Sequence, residues 1–203
     1  MKAPAQPSQI ADEIIALYER HGADDYIGEP VSQLEHMGQS AQLAERKGYD
    51  DEVVLAAFLH DIGHLGVHPG ETLPDGSPPG GMNGYGTVRH EKVGADYLRG
   101  KGFSENIARL VENHVQAKRY LTFKHPAYYQ QLSEASKQTL TFQGGPMTAT
   151  EAEAFEGDEL FEASIRMRQW DELAKEENVP TVNLGVYRER LRAHLEGTVV
   201  SER

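Results

Sequence analysis

The chain has 203 residues, with 32 acidic and 20 basic side chains and a net charge of −12. That length is enough for one sizeable core, and the acidic balance argues against a nucleic-acid partner, whose phosphates it would repel. The absence of cysteine excludes disulfides, thiolate metal sites and thiol nucleophiles, so any metal must be held by nitrogen and oxygen donors. The opening MKAPAQPSQI has no apolar core. No signal peptide or membrane span is therefore expected, and a cytoplasmic protein is the default.

Apolar residues recur at helical spacing nearly throughout, and runs of strand formers are absent, which predicts a single all-α domain over residues 1–203. A first helix is predicted over 8–21, with Ser8 as its N-cap and Ile10, Ile14, Leu17 and Tyr18 on one face. A turn over 23–30 follows, and Pro30 suits the first position of a second helix. There Val31, Leu34, Met37, Ala41 and Ala44 form the apolar stripe, and His36 borders it. Asp50 is the expected cap of a third helix, whose run Val53–Leu59 is apolar on every side and therefore central.

That helix delivers the stretch Phe58-Leu59-His60-Asp61-Ile62-Gly63-His64-Leu65. Burying a histidine or an aspartate without a partner costs several kcal/mol, roughly. Either a hydrogen-bonded pair at a helix end or a metal ion would satisfy the two, and His64 lies one turn beyond His60. Residues 66–87 hold seven glycines and four prolines, so this long loop is expected to be irregular and to rim a functional site. A helix over about 88–98 carries His90. Ser104 caps the next, which buries Ile107, Leu110, Val111 and Val115 together with His114, with Lys118 one turn further. A snorkelling amine is the plainer account of that lysine. The segment 126–147 mixes polar hydroxyls with a Gly-Gly break and is given no element, and Thr148–Glu151 has capping-box spacing for a short helix. A long helix over about 158–177 turns Leu160, Ser164, Met167, Asp171 and Ala174 inward, with Arg168 a possible counter-charge for Asp171, and a last helix spans about 183–195.

In order, the buried metal-binding types are His36, His60-Asp61, His90, His114 and Asp171. Six such donors suffice for two metals if one carboxylate bridges. The ordered pattern, with HDIGH at the end of a buried helix, resembles the HD-domain superfamily of helical metalloproteins. The resemblance implies an all-α helical bundle around a dinuclear site. His36, His60, Asp61 and Asp171 would hold one metal, and Asp61, His90 and His114 the other, at roughly 3.5–4 Å separation.

Most members of that superfamily are phosphohydrolases. Two segments look instead like the HD-domain mixed-valent diiron oxygenases that degrade organophosphonates. They are YIGEPVSQLEH over 26–36 and the later LSEAS with Thr139-Leu140 and Gln143-Gly144-Gly145. That resemblance covers nearly the whole chain. It implies two iron ions, Fe(II)/Fe(III), dioxygen as co-substrate and a small organophosphonate as substrate. The C–P bond of 2-amino-1-hydroxyethylphosphonate or its N-trimethylated analogue would be cleaved to phosphate and glycine or glycine betaine. It implies a lid in which Tyr26 guards an iron position and Glu29 meets the substrate's amine. His64, Lys118, Ser136, Thr139 and Gln143 are expected at the phosphonate. Tyr26, Tyr85, Tyr128 and Tyr129 near the rim tilt the expectation toward the trimethylated compound, since such a cation prefers aromatic faces. The alternatives are an HD phosphohydrolase acting on a phosphate ester and a non-catalytic HD scaffold. Tyr26, Glu29 and the LSEAS segment favour the oxygenase, and the complete donor set disfavours the scaffold.

Overall fold

The computed structural model describes residues 5–26, 28–66, 82 and 86–201. Most of the Gly/Pro-rich 66–87 loop, with Tyr85 and His68, therefore lies outside the described residues. The described part is helical, with an isolated β-bridge between Asp25 and Ser32 and no strand among the described residues.

Helix α1 (Pro7–His21) buries Ile10, Ile14, Leu17 and Tyr18. Its N-cap is Gln6 rather than Ser8, because Pro7 supplies the donor-free first position. Helix α2 (Gln33–Arg46) begins after Pro30, not on it. Ser32 Oγ accepts from Glu35 N, and the Glu35 carboxylate accepts from Ser32 N at 2.7 Å; this reciprocal cap outcompetes proline as a start signal. Asp50 caps α3 (Asp51–Leu59) through Val53 N at 3.0 Å. All of Val53–Leu59 is buried, as an all-apolar helix requires.

Helix α3 stops at Leu59, and a 3-10 turn over Ile62–His64 follows. Next come α4 (His90–Gly100) and α5 (Glu105–Lys124), the latter capped by Ser104. The segment 126–147 holds two short helices, α6 (Pro126–Gln131) and α7 (Glu134–Phe142). Pro126 starts α6, and Ser133 Oγ caps α7 through Ser136 N at 3.1 Å; both signals are local and short, so the helical period over them is too brief to read. Thr148 and Glu151 form the expected capping box of α8 (Ala149–Glu156). Helix α9 (Phe161–Leu173) is shorter at both ends than expected, and α10 (Leu184–Ser201) is longer.

The central α3 contacts α2, α5, α9 and α10, while α1 packs on α10 and α4 on α5. The main core centres on Leu55, Phe58, Leu59, Ile14, Met37, Ile107 and Met167. A satellite core of Tyr120, Leu121, Met147 and Phe155 secures the far end of α5. None of the described helices is long and apolar enough to cross a membrane.

Candidate active site

The end of α3 answers how two adjacent residues serve one site. His60 still has helical backbone angles, while Asp61 leaves them at φ −103° and ψ 13°, so its carboxylate turns back over the helix end instead of pointing about 100° away from His60. The 3-10 turn then runs against the start of α4. Gly63 makes this possible, since a Cβ there would stand 2.0 Å from His90 O. His90, the first residue of α4, is thereby brought to Asp61. His114 and Lys118 continue the buried stripe of Ile107 and Val111 along α5, and Asp171 shares the inner face of α9 with Ser164 and Arg168.

The six donors converge in two groups. His36 Nε2 lies 3.1 Å from His60 Nε2, 3.6 Å from Asp61 Oδ2 and 3.4 Å from Asp171 Oδ1, and His60 Nε2 lies 3.5 Å from Asp61 Oδ2. On the other side Asp61 Oδ1 is 3.3 Å from His90 Nε2 and 3.5 Å from His114 Nε2, themselves 3.1 Å apart. Asp61 thus offers one oxygen to each group. All six residues are at most 4% exposed. His36 Nδ1 bonds Ala174 O at 2.9 Å, His60 Nδ1 bonds Ala57 O at 2.8 Å, and His114 Nδ1 bonds Val111 O at 2.6 Å. A carbonyl only accepts, so each Nδ1 carries a proton and each ring turns its Nε2 into the site.

Two imidazole Nε2 atoms facing each other at 3.1 Å, as in His36 and His60, need a proton or a metal cation between them. Burial holds His60 and His114 low, His114 at about 3, so these two rings keep their Nε2 lone pairs. Burial pushes the Asp61 and Asp171 carboxyls up, but the imidazoles around Asp61 and the Arg168 guanidinium beside Asp171 outweigh it, and both end well below the usual range. Asp171 Oδ1 is buried without a hydrogen-bond partner among the described residues. An N/O donor set of this kind fits two divalent or trivalent first-row ions. His64 also brings a ring nitrogen close to Asp61 and His90. Its ring stacks on His90 with centroids 4.1 Å apart, and its Nδ1 accepts from Thr87 N at 3.1 Å, which leaves the proton on Nε2.

These groups open on a cavity of about 50 Å³, room for only a few waters, which suits a small ligand. Tyr26, Glu29, His64, Lys118, Ser136, Thr139 and Gln143 all line it. Lys118 is 2% exposed, donates to Thr139 Oγ1 at 2.7 Å, and has no carboxylate within 4 Å among the described residues. It is therefore not a snorkelling amine but a buried amine facing the cavity, and burial lowers its pKa well below normal. Tyr26 stacks on His36, ring centroids 3.9 Å apart, and burial pushes its phenol well up. Glu29 is paired with Lys175.

Arg168 was legible only as a counter-charge. It does pair with Asp171 and Glu172, but it also lines the cavity, and its Nε donates to the Tyr128 hydroxyl at 2.8 Å. Tyr128 is thus engaged at the Arg168 side, and Tyr129 is 44% exposed and does not line the cavity. Neither Lys175 nor Ser133 carries a signal for its contact with Glu29: Lys175 falls within the expected 158–177 helix but off its inner face, and α9 in fact ends at Leu173, while Ser133 enters only as part of the LSEAS segment. His21 pairs with Asp24, His194 accepts from Ser104 N, and His125 is exposed, so these three stay apart from the cluster.

The HD domain family matches residues 34–141. Among curated proteins, the chain is 47% identical over 167 residues to Uncharacterized protein L432 of Acanthamoeba polyphaga mimivirus, covering 82% of this chain and 73% of that protein. It is 38% identical over 172 residues to [1-hydroxy-2-(trimethylamino)ethyl]phosphonate dioxygenase (glycine-betaine-forming) of Leisingera caerulea, covering 85% and 83%. It is 33% identical over 190 residues to hydroxymethylphosphonate dioxygenase of Gimesia maris, covering 94% and 90%. The chain belongs to the HD-domain family, and its fold is the all-α bundle of that family. Within it, the chain is an enzyme of the group that includes these two dioxygenases.

Proposed function

We propose that this enzyme cleaves the C–P bond of a small 1-hydroxyphosphonate with dioxygen, releasing phosphate and the carboxylic acid of the remaining carbons. The observation that carries this reading is the placement of a buried lysine amine, Lys118, and a buried guanidinium, Arg168, on the same small cavity as the six-donor cluster, where an entering anion would favour the charged form of the amine. A dianionic head group is what such a wall accommodates. His36, His60, Asp61 and Asp171 would hold one iron, and Asp61, His90 and His114 the other. When bound, a mixed-valent iron pair supplies the dioxygen chemistry. The chain's own residues bind and orient. Lys118 and Arg168 face the phosphonate oxygens, His64 donates its Nε2 proton there, and Thr139 and Ser136 add hydroxyls. Gln143 brings a buried carbonyl oxygen that lacks a hydrogen-bond partner among the described residues. Tyr26, stacked on His36, closes the metal side of the cavity until substrate enters, and Glu29 serves the far end of the substrate.

The test is phosphate release from 2-amino-1-hydroxyethylphosphonate, its N-trimethylated analogue and hydroxymethylphosphonate, with iron-loaded protein, in air and under argon. Release that requires dioxygen is expected. Release of phosphate from a phosphate ester at equal rates in both atmospheres would establish the phosphohydrolase alternative instead.

The phosphonate wall is tested separately. Lys118→Ala and His64→Ala are each expected to weaken substrate binding by about 1.5–3 kcal/mol, the usual worth of a charge-assisted contact, with bound metal near two per chain. A variant that loses metal instead would belong among the ligands, a sharp question for His64 because its ring already lies against His90.

A further inference from the structure

Glu29 stands on the cavity wall, and its Oε1 is held from outside the cavity by Lys175 Nζ at 2.8 Å and Ser133 Oγ at 2.5 Å. The two charged side chains are only 13% and 9% exposed. Lys175 also lies 3.6 Å from Glu172, which pairs with Arg168. Its backbone is fixed on both sides: Ala174 O receives the His36 Nδ1 proton, and Glu176 exchanges two hydrogen bonds with the Gln39 side chain, at 2.9 and 3.1 Å. The lysine is therefore anchored to the metal-bearing helix α2 and reaches from there to the lid carboxylate.

We propose that Lys175 sets how strongly this site demands a cationic group on its substrate, by neutralising Glu29 from behind the cavity wall. The proposal rests on the 1-hydroxyphosphonate reading above. A bare Glu29 carboxylate would oppose any phosphonate that carries nothing positive at its far end and would strongly favour one that carries an ammonium. With Lys175 in place that carboxylate is already countered. A substrate without an amine is tolerated, and one with an amine gains less than an unpaired carboxylate would give it. Lys175 is thus a specificity-determining residue that touches Glu29 rather than the reacting atoms.

The experiment measures binding of hydroxymethylphosphonate and 2-amino-1-hydroxyethylphosphonate to the iron-loaded protein by anaerobic calorimetry, followed by phosphate release in air. In Lys175→Met the affinity ratio is expected to move toward the amino compound by about tenfold, the worth of one charge-assisted contact. Lys175→Arg should keep the parent ratio. In a Glu29→Gln background, adding Lys175→Met should leave the ratio unmoved, because the charge it answers is gone; a merely structural lysine would not show this dependence. Lys175→Gln serves in place of Lys175→Met if the methionine variant does not fold. An unchanged ratio, a move toward hydroxymethylphosphonate, or the same shift without the Glu29 charge overturns the proposal. Binding of both compounds to the parent with no phosphate released in air sinks the oxygenase reading alone, whereas a parent that binds neither overturns both.

Discussion

Asp61→Ala is expected to take bound metal from two ions per chain to nearly none, and turnover with it. The reason is geometric. Oδ2 faces His36 and His60 while Oδ1 faces His90 and His114, so one side chain serves both groups of donors. Removing it leaves one group with three donors and the other with two, and deletes the anion between the ions. Metal analysis of purified protein reads the result directly. A variant that keeps a full pair would show that Asp61 does not bridge, and one that keeps a single ion would assign the residue to one side only.

Gly63→Ala should be nearly as severe although glycine holds nothing. A Cβ at this position would stand 2.0 Å from His90 O and 2.8 Å from His90 C, closer than any backbone tolerates, and neither the 3-10 turn nor the start of α4 can yield without moving His90 from Asp61. Overpacking of this kind costs about 1–3 kcal/mol or more. The expected signature is a lower melting temperature together with loss of the ion held by Asp61, His90 and His114, the other ion being retained better. Normal metal content in a stable Gly63→Ala protein would mean that the two segments are less tightly apposed than they are in this structure.

Much of the bundle was legible because its helices carry strong local signals: the Asp50 and Ser104 caps, the Thr148–Glu151 box, and the unbroken apolar run of α3. The donor set was legible for the same reason that its residues are anomalous. Histidine and aspartate on buried faces stand out, and their order along the chain matched a known pattern. What was not legible depends on the third dimension. Arg168 read as a partner of Asp171, its neighbour by three residues, and nothing in the sequence says that its other edge faces the cavity. Glu29 and Lys175 are separated by most of the chain, and no periodicity links a turn before α2 to the residue after α9. Helices α6 and α7 were missed because each is too short for its period to emerge, yet α7 brings Ser136 and Thr139 to the site.

The six donors begin in α2 and end in α9, so ions seated among them would fasten distant parts of the chain as a cross-link does, but a reversible one whose strength follows the supply of metal. Without ions, the buried donors would have only one another and Arg168 to satisfy them. Folding and metallation of this bundle are therefore expected to be coupled, so that a shortage of metal would cost stability as well as activity.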